Sequence, residues 1–445
     1  MSLDAIFKAY DVRGVYPDEF DEDAARRIGG AFAEFAGAAA ILVGRDMRLS
    51  SEPMSAAFID GIVEAGTDAV DLGLVSTDLV YFASGVKELP GAMFTASHNP
   101  PQYNGIKFCL AGAAPVGQDT GLGDIRAKAE GGRATGSSRG KVTNLDLLDD
   151  FATHLLGLID TAAMKPFTVA VDAANGMGGK VVPAVFDRLP TRLVPLYFEL
   201  DGTFPNHPAD PIQPENLKDL QRAVLDEKAD IGLAFDGDAD RVFLVDEKAE
   251  PVSGSLTTAL VARRILERHH GATIIHNAIC SRVVPEVIEE GGGSAVRSRV
   301  GHSFIKQHMA ETGAVFGGEH SGHYYFKDNF RADSGLLAAL YVLETMSAED
   351  KPLSQLLAPL RRYQASGEIN IRVDDQQAVI ERIASAFSDG DADRLDGLTV
   401  NYPDWWFNLR PSNTEPLLRL NVEAADENVM AHKRDELVGL IERGA

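Results

Sequence analysis

The chain has little cysteine, little tryptophan and no long apolar run. It contains two cysteines and two tryptophans among 445 residues. Two cysteines make no disulfide framework and fit a reducing compartment. No apolar run approaches the roughly 20 residues that span a bilayer, and the N-terminal stretch shows no charged segment followed by an apolar one. We therefore expect a cytoplasmic protein.

Positive charge is also scarce. Lys and Arg number 42 against 66 Asp and Glu, which gives a formal net charge of −24 at pH 7. This balance argues against nucleic acid or an anionic membrane as a partner, and an anionic substrate would need a local basic pocket. The length exceeds what one hydrophobic core organises and predicts three or four domains. We expect a monomer or a weak homodimer.

The most informative stretch is TASHNPPQYNGIKF, residues 95–108. Pro100 and Pro101 fix φ and lack amide donors, and Asn and Gly favour turns, so the stretch cannot be regular helix or strand. Apolar residues lead in at 91–94 and lead out at 106–108. The pattern predicts that Ser97 lies at the tip of a stiff loop between two strands. On this stretch alone, a rigid surface turn explains the composition equally well.

The same arrangement recurs along the chain: an apolar strand runs into a polar, glycine-containing loop and then a helix. It is typical of α/β sheets, in which ligands bind beyond the carboxyl ends of strands, and it suggests diluted internal repetition. For residues 44–48, a solvated strand end is the alternative to a site loop. The strands and loops are residues 40–43 with 44–48, 167–171 with 172–179, 231–235 with 236–241, and 314–316 with 317–323.

The loop DGDADR, residues 236–241, places carboxylates at alternate positions in Asp236, Asp238 and Asp240. Their oxygens can converge on one hard cation, and few carboxylates plus a phosphate oxygen suit Mg²⁺ better than Ca²⁺. An acidic turn is the alternative. The preceding apolar strand and the adjacent Arg241 favour the divalent-metal site.

Two later loops carry hydrogen-bonding groups. GGEHSGH, residues 317–323, suits sugar hydroxyls, although a metal site through His320 and His323 competes with that interpretation. RPSNTEP, residues 410–416, can clamp a phosphate through a charge-assisted fork with hydroxyl and amide donors, or it is a proline-bounded hairpin loop. His302 lies where a loop enters a helix, and a structural role competes with a catalytic one there.

Helical periodicity and turn residues outline the remaining organisation. Residues 131–140 are rich in Gly and Ser and predict a loop or linker, with a domain boundary soon after it. The predicted helices are 21–37, 52–66, 217–226, 256–268, 335–346, 352–363 and one from about 427. We expect domains at 1–145, 146–251, 252–364 and 365–445.

Taken together, these motifs resemble the α-D-phosphohexomutase family, in particular its phosphomannomutase/phosphoglucomutase branch. FKAYDVRG, TASHNPPQYNGIKF, DGDADR, GEHSGH and RPSNTEP occur in the family's order over essentially the whole chain. The resemblance implies an α/β protein with three related mixed-sheet domains and a smaller C-terminal α+β domain around a central cleft. Ala96 and His320 depart from the family's commoner residues, which leaves the choice between mannose and glucose open.

The resemblance also implies roles for individual residues. Ser97 would be the phosphoserine, and it would hold one Mg²⁺ together with the three aspartates, while a hexose 1,6-bisphosphate would be the intermediate and activator. Acid–base or transition-state help would come from Lys107, Arg13, His98 and His302. Sugar and phosphate recognition would fall to Tyr10, Arg241, Glu319, Ser321, His323, Arg410, Ser412, Asn413 and Thr414.

Transfer of phosphate between the two ends of a hexose requires several of these groups at once. One in-line attack cannot carry a phosphoryl group between O1 and O6 of a hexose, so a carrier, a metal, a remote phosphate clamp and an acid–base group are required. Lys107 would need a lowered pKa to act as a base, and Arg13 nearby would push it that way. The expected activity is phosphomannomutase, with phosphoglucomutase or phosphoglucosamine mutase as alternatives. A metal-dependent glycosyltransferase and a non-catalytic sugar-phosphate binder are more remote.

Overall fold

A computed structural model of the chain describes residues 3–412 and 417–443. They form four consecutive units, each built on its own β-sheet. Within the described ranges, no helix is long and apolar enough to cross a membrane.

The first unit is a seven-stranded sheet with helices on both faces. Side chains of its second strand alternate between two cores, because successive strand residues face opposite sides: Ile41 and Val43 pack on one side and Leu42 on the other. The elements are β1 (Val12–Val15), α1 (Glu22–Ala36), β2 (Ala40–Arg45), α2 (Ser51–Glu64), β3 (Asp68–Leu74), α3 (Thr77–Lys87), β4 (Gly91–Phe94), β5 (Tyr103–Leu110), β6 (Ala114–Pro115), α4 (Leu122–Glu130) and β7 (Val142–Asn144).

The second and third units each have five strands. The second comprises α5 (Leu148–Gly157), β8 (Phe167–Asp172), α6 (Gly178–Phe186), β9 (Thr191–Leu196), α7 (Lys218–Glu227), β10 (Ile231–Phe235), β11 (Val242–Asp246) and β12 (Pro251–Val252). The third comprises α8 (Gly254–Arg268), β13 (Thr273–Asn277), α9 (Val283–Glu290), β14 (Ser294–Ser298), α10 (His302–Thr312), β15 (Phe316–Gly318), β16 (Tyr324–Phe326), β17 (Ala332–Asp333), α11 (Gly335–Glu349) and α12 (Leu353–Leu357).

The fourth unit is a five-stranded, wholly antiparallel sheet in the order β18-β22-β21-β20-β19. Its elements are β18 (Gln364–Arg372), α13 (Gln376–Ala386), β19 (Asp391–Asp393), β20 (Leu398–Asn401), β21 (Trp405–Pro411), β22 (Leu417–Ala424) and α14 (Glu427–Glu442). It has its own core, in which Phe407 and Leu420 are fully buried.

The first three units share one topology. The second sheet runs β9-β8-β10-β11-β12 and the third runs β14-β13-β15-β16-β17, so both have the strand order 2-1-3-4-5. The first sheet contains the same core as β3-β2-β4-β5. In each, the third strand is parallel to the first, and the fourth returns antiparallel to the third. The suggested internal repetition is therefore present in the sheets.

Two sequence expectations need correction. Residues 131–140 are a loop but not a linker: Gly136 N donates to the Glu64 carbonyl and Gly140 N to the Val63 carbonyl, after which β7 joins the first sheet. The helix expected over 352–363 is only α12, followed by a 3-10 turn at Ala358–Leu360. Pro359 explains the early end, since proline has no amide to donate to the carbonyl four residues earlier.

Glycines allow α1 and α2 to pack closely. A Cβ built on Gly61 would lie 1.9 Å from the Arg26 carbonyl oxygen, and one on Gly29 would lie 2.1 Å from the Phe58 carbonyl oxygen. Both contacts are with backbone, which cannot move aside as a flexible side chain can. The two helices therefore touch along their backbones at these points.

We expect Gly61→Ala to destabilise the protein by about 1–3 kcal/mol, because the added methyl group forces the helices apart. Calorimetric melting of the purified protein measures the effect. Gly439→Ala is the matched control: it lies within α14, a Cβ added there would have no neighbour within 4 Å among the described residues, and replacing a helical glycine is neutral or slightly stabilising. Equal melting temperatures for Gly61→Ala and the wild type would contradict this account of the helix packing.

Candidate active site

The serine loop begins where β4 ends at Phe94. Ser97 has φ of +50°, in the left-handed region, and is 4% exposed. Its amide donates to Thr95 Oγ1 at 2.9 Å, and the Asn99 amide donates to the Ala96 carbonyl at 2.9 Å. Non-glycine residues adopt this backbone conformation only where the surroundings enforce it. Ser97 therefore lies in a fixed turn between two strands.

Arg48 holds this loop from beneath. It is 2% exposed and pairs with Asp46 at 3.2 Å. Its guanidinium also donates to four backbone carbonyls at 2.7–3.1 Å, those of Ser97, Asn99, Pro100 and Tyr103. The loop at 44–48 is thus neither a solvated strand end nor an open ligand loop, since Arg48 is a buried support for the serine turn.

The acidic loop follows β10 and reaches Ser97 from the second unit. Ser97 Oγ donates to Asp236 Oδ2 at 2.7 Å. Gly237 permits the approach, because a Cβ there would lie 2.5 Å from the Ser97 carbonyl oxygen. Asp236, Asp238 and Asp240 are at most 1% exposed, and each offers an oxygen within 4.8 Å of the others.

These carboxylates suit a hard cation. The Oδ1 atoms of Asp238 and Asp240 are buried and have no hydrogen-bond partner among the described residues. Buried charged oxygens left unpaired are costly, and oxygen donors of this kind are the ligands Mg²⁺ prefers. The residues therefore form a group able to hold a divalent metal.

Lys107 neutralises part of this charge. Its Nζ donates to Asp238 Oδ2 at 2.7 Å and to Asp240 Oδ2 at 2.5 Å. Burial would lower the pKa of Lys107, but the two carboxylates outweigh it and raise that pKa above the usual lysine range. The expected lowering by Arg13 is wrong for this arrangement, because Arg13 is engaged by Asp11 at 2.5 Å and by Asn99 at 2.6 Å.

The aspartates differ in charge state. Burial raises the pKa of Asp236 to about 7 despite the pairing with Arg241. Burial also acts to raise the pKa of Asp238, but Lys107 outweighs it and the pKa falls well below the usual range. Asp236, which accepts the hydrogen bond from Ser97, is thus more readily protonated than Asp238.

Arg241 and His98 complete the surroundings of Ser97 Oγ. Arg241 Nη2 donates to Ser97 Oγ at 2.9 Å and lies 2.5 Å from His98 Nδ1. Burial, and then the positive charge of Arg241, hold the pKa of His98 well below its ordinary value. His98 is therefore a neutral acceptor, and Ser97 Oγ lies between a cation and a carboxylate.

The loop after β15 brings the third unit to the same place. His323 forms a backbone bridge with Arg241, and its Nδ1 lies 2.9 Å from Asp333 Oδ2. Burial would lower the pKa of His323, but Asp240 and Asp333 raise it. Ser321 is partly exposed beside it. The alternative metal site through His320 and His323 is not formed, since His320 Nδ1 lies 3.1 Å from Ser255 Oγ and His323 groups instead with Asp240 and Asp333.

Glu319 ties this loop to the segment before α10. Its carboxylate accepts hydrogen bonds from Tyr325, Asn277 and the Gly301 amide at 2.5–3.2 Å. His302 follows Gly301, and burial, with Lys306, holds the pKa of His302 well below its ordinary value.

Tyr10 and Arg410 reach the cleft from the first and fourth units. The Tyr10 ring lies edge-on to His302, with 5.5 Å between the ring centroids, and Tyr10 OH donates to the Val300 carbonyl at 3.2 Å. Arg410 is 6% exposed and pairs with Glu368 at 2.9 Å. Burial is the main cause of the raised pKa of Tyr10 and of the lowered pKa of His320, and the positive charge of Arg410 acts to lower both. Ser412 lies at the end of β21 beside Leu417, while Asn413 and Thr414 lie outside the described residues.

Comparison with known proteins gives matches along the whole chain. Four domain descriptions of phosphoglucomutase/phosphomannomutase match in order: α/β/α domain I at residues 4–133, domain II at 149–250, domain III at 253–363 and the C-terminal domain at 368–440. The chain belongs to the phosphoglucomutase/phosphomannomutase family. The resemblance noted from the motifs and the expected four-domain α/β architecture are confirmed.

Individual relatives cover nearly the full length. A phosphomannomutase of Salmonella typhimurium is 39% identical over 448 residues, 98% of each chain. A phosphomannomutase of Methanocaldococcus jannaschii is 41% identical over 441 residues, 98% of this chain and 97% of its own. The crystal structure of a phosphoglucomutase/phosphomannomutase family protein from Burkholderia thailandensis superposes with a TM-score of 0.92 at 34% identity and covers 100% of this chain and 98% of its own.

Several residues of this site are not predicted by the sequence motifs. Arg48 stands out there only as part of a charged loop, and Thr77, which donates to Asp238 Oδ2 at 2.5 Å, does not stand out at all. The buried pair of Lys306 and Asp333, 2.8 Å apart, is also missed. Lys306 lies among other polar residues of α10, so nothing local identifies it or its partner.

We expect Lys107→Met to raise the affinity for Mg²⁺ by roughly tenfold, because the lysine neutralises two of the carboxylates that face the ion. Calorimetric titration of the metal-free protein with Mg²⁺ measures the change. Lys128→Met is the matched control, since it removes a positive charge whose carboxylate partner, Glu34, is exposed. Weaker Mg²⁺ binding in Lys107→Met than in this control would contradict the competition between lysine and metal.

Proposed function

We propose that this chain is a phosphomannomutase, which reversibly transfers phosphate between O1 and O6 of mannose phosphate and also accepts glucose phosphate. The observation that carries the proposal is the placement of Ser97 Oγ, 2.7 Å from Asp236 and 2.9 Å from Arg241. A serine fixed beside a metal-binding carboxylate group and an arginine is suited to carry a phosphoryl group. The names of the full-length relatives point to the same substrate class.

Ser97 is the phosphoryl carrier in this proposal. The phosphorylated serine donates its phosphate to the free hydroxyl of the hexose phosphate, which gives a hexose 1,6-bisphosphate. The bisphosphate then turns end for end and returns its other phosphate to Ser97. Added hexose 1,6-bisphosphate rephosphorylates any enzyme that has lost its phosphate and so acts as an activator.

One Mg²⁺ would be held by Asp236, Asp238 and Asp240 together with a phosphate oxygen on Ser97. When bound, it spreads the charge that develops on the transferring phosphoryl group. Arg241 donates to Ser97 Oγ, so it is placed to bind the same phosphate. Phosphorylation adds about −1.5 to −2 charge to Ser97 at pH 7. This charge favours both bound Mg²⁺ and the nearby Arg241 guanidinium.

Proton transfer needs a group that can exchange a proton with the sugar hydroxyl. Burial and nearby cations hold the pKa values of His98 and His302 well below the ordinary histidine value, so both rings are unprotonated at neutral pH and are placed to accept hydrogen bonds. Lys107 donates to Asp238 and Asp240, and it would be released from them if they held Mg²⁺. Arg13 donates to Asn99 on the serine loop, so it is placed to stabilise negative charge that develops there. We assign these four residues to acid–base and transition-state roles.

Sugar recognition is assigned to Glu319, Ser321 and His323, on the loop that touches Arg241. The phosphate that is not being transferred is assigned to Tyr10 and to the loop at 410–414. Arg410 supports this assignment because its guanidinium is held in place by Glu368 and its charge reaches Tyr10. Ser412, Asn413 and Thr414 supply hydroxyl and amide donors.

The broader organisation follows the four sheets. We propose domains at 1–145, 146–251, 252–364 and 365–445, the first including β7 and the last including all of β18 except its first residue. The proposal includes a cytoplasmic location, no nucleic-acid or membrane partner, and a monomer or weak homodimer.

Ser97→Ala is expected to abolish conversion of mannose 1-phosphate to mannose 6-phosphate, because the mutant lacks the carrier oxygen. A coupled assay with Mg²⁺ and a trace of hexose 1,6-bisphosphate measures the loss. Ser385→Ala is the control: this hydroxyl is exposed on α13 in the fourth unit and donates to the Glu381 carbonyl of the same helix. Full activity of Ser97→Ala would rule out the carrier role.

The same assay ranks the substrates and tests the alternatives. We expect kcat/KM for mannose 1-phosphate to equal or exceed that for glucose 1-phosphate, with glucosamine phosphate lower. Turnover of a nucleotide sugar would indicate a glycosyltransferase instead. Ligand binding without isomerisation at any bisphosphate concentration would indicate a non-catalytic binder.

A further inference from the structure

A groove beside Tyr10 is not accounted for by the residues assigned above. It encloses about 570 Å³ between the first and third units, with walls from residues 7–10, 115–126 and 299–307. That volume lies in the range of small-molecule sites, about 300–1,000 Å³. The units touch at its base, where a Cβ built on Gly117 would lie 3.4 Å from Ser303 Cβ.

Tyr10 separates this groove from the catalytic cluster. Its ring packs on Gly301, where a Cβ would lie 2.8 Å from the ring, and it contacts His302 edge-on. Tyr10 also lines the groove. A ligand against Tyr10 in the groove would thus lie one aromatic ring away from His302.

The groove is cationic on a strongly anionic protein. Lys8, Arg126 and Arg299 line it, and Asp119 is the one carboxylate among its described lining residues. Arg126 contacts Asp4, which leaves its charge partly compensated. Lys8 Nζ donates to the Ala5 carbonyl, which carries no charge. Because the net charge of the chain is −24, a local cluster of cations is what an anion needs in order to approach.

Arg299 is the residue of the groove best suited to bind a phosphate. It is exposed, lies over the Phe304 ring at 4.5 Å, and forms no ion pair with a carboxylate in the part of the chain that the structure describes. The aromatic ring holds the guanidinium flat, while its N–H groups remain available. A planar fork of this kind matches the geometry of a phosphate.

We propose that this groove, defined by Lys8, Arg126 and Arg299, is a second anion site that holds one phosphate of the hexose 1,6-bisphosphate while the sugar turns over. The inference rests on the proposed function. The turning intermediate has both phosphates away from their catalytic positions, so it lacks the contacts that hold it at the enzyme before and after it turns. A phosphate-binding groove next to Tyr10 keeps it at the enzyme until its other end returns to Ser97.

The test measures escape of the intermediate. Full-length enzyme, radiolabelled on the Ser97 phosphate and loaded with Mg²⁺, is mixed with mannose 1-phosphate and a large pool of unlabelled hexose 1,6-bisphosphate. Label found in mannose 6-phosphate comes from intermediates that stayed bound, and label found in the bisphosphate pool comes from those that escaped. The ratio of the two is independent of how much active enzyme is present.

We expect Arg299→Gln to raise the ratio of escaped to retained label roughly tenfold, because the variant loses one charge-assisted contact with the phosphate. Arg299→Lys, which keeps the charge but not the fork, is expected to fall between this variant and the wild type. Arg222→Gln is the control, because it removes an exposed arginine paired with Asp219 on α7. If folding of Arg299→Gln is impaired, Lys8→Gln provides a second variant with the same expected direction.

An escaped fraction in Arg299→Gln and Lys8→Gln equal to that of Arg222→Gln would overturn the proposal. Failure of the proposed function gives a different result, since labelled wild-type enzyme would then pass no label to sugar at all. In that case equilibrium dialysis of inorganic phosphate against Ser97→Ala protein still tests the groove. If the double variant Ser97→Ala/Arg299→Gln binds less phosphate than Ser97→Ala alone, the groove is an anion site. If the two proteins bind phosphate equally, the proposal is overturned.

Discussion

The hydrogen bond from Ser97 Oγ to Asp236 Oδ2, 2.7 Å long, is the contact on which the rest of the site depends. It joins loops from two different sheets, so both loops must be held in position for it to form. Arg48 fixes the serine loop through four carbonyls, and Gly237 lets the acidic loop approach without a clash. The buried polar groups of the serine turn are thereby satisfied, which a close contact in a low-dielectric interior requires.

The shared sheet topology explains why these loops meet. The serine loop follows β4, the acidic loop follows β10 and the polar loop at 319–323 follows β15. Each of these strands is the third strand of the shared core of its sheet. The fourth strand of each core runs antiparallel to the third. The chain therefore reverses direction in each of these loops, at the corresponding edge of each sheet. Three repeats of one arrangement thus supply the carrier, the carboxylates and the polar loop, while the fourth unit adds Arg410.

Local chemistry is predictable from the sequence, and distant partners are not. The turn around Ser97 and the three aspartates are identifiable because proline, glycine and alternating carboxylates act over a few neighbouring residues. The role of Arg48 is not, since its four acceptors lie 49 to 55 residues further along the chain. The pKa of Lys107 shifts in the direction opposite to the sequence-based prediction because its carboxylate partners are 131 and 133 residues away. The segment 131–140 has the composition of a linker, but its amides bond to the end of α2.

The central claim is that the phosphoryl group passes through Ser97. Rapid-quench analysis of a single turnover tests it most directly, with enzyme labelled on the Ser97 phosphate and a stoichiometric amount of unlabelled mannose 1-phosphate. The account predicts that label leaves the protein no more slowly than product forms, and that peptide mapping after the turnover finds unlabelled phosphate on Ser97. Formation of mannose 6-phosphate while the label stays on the protein would contradict it.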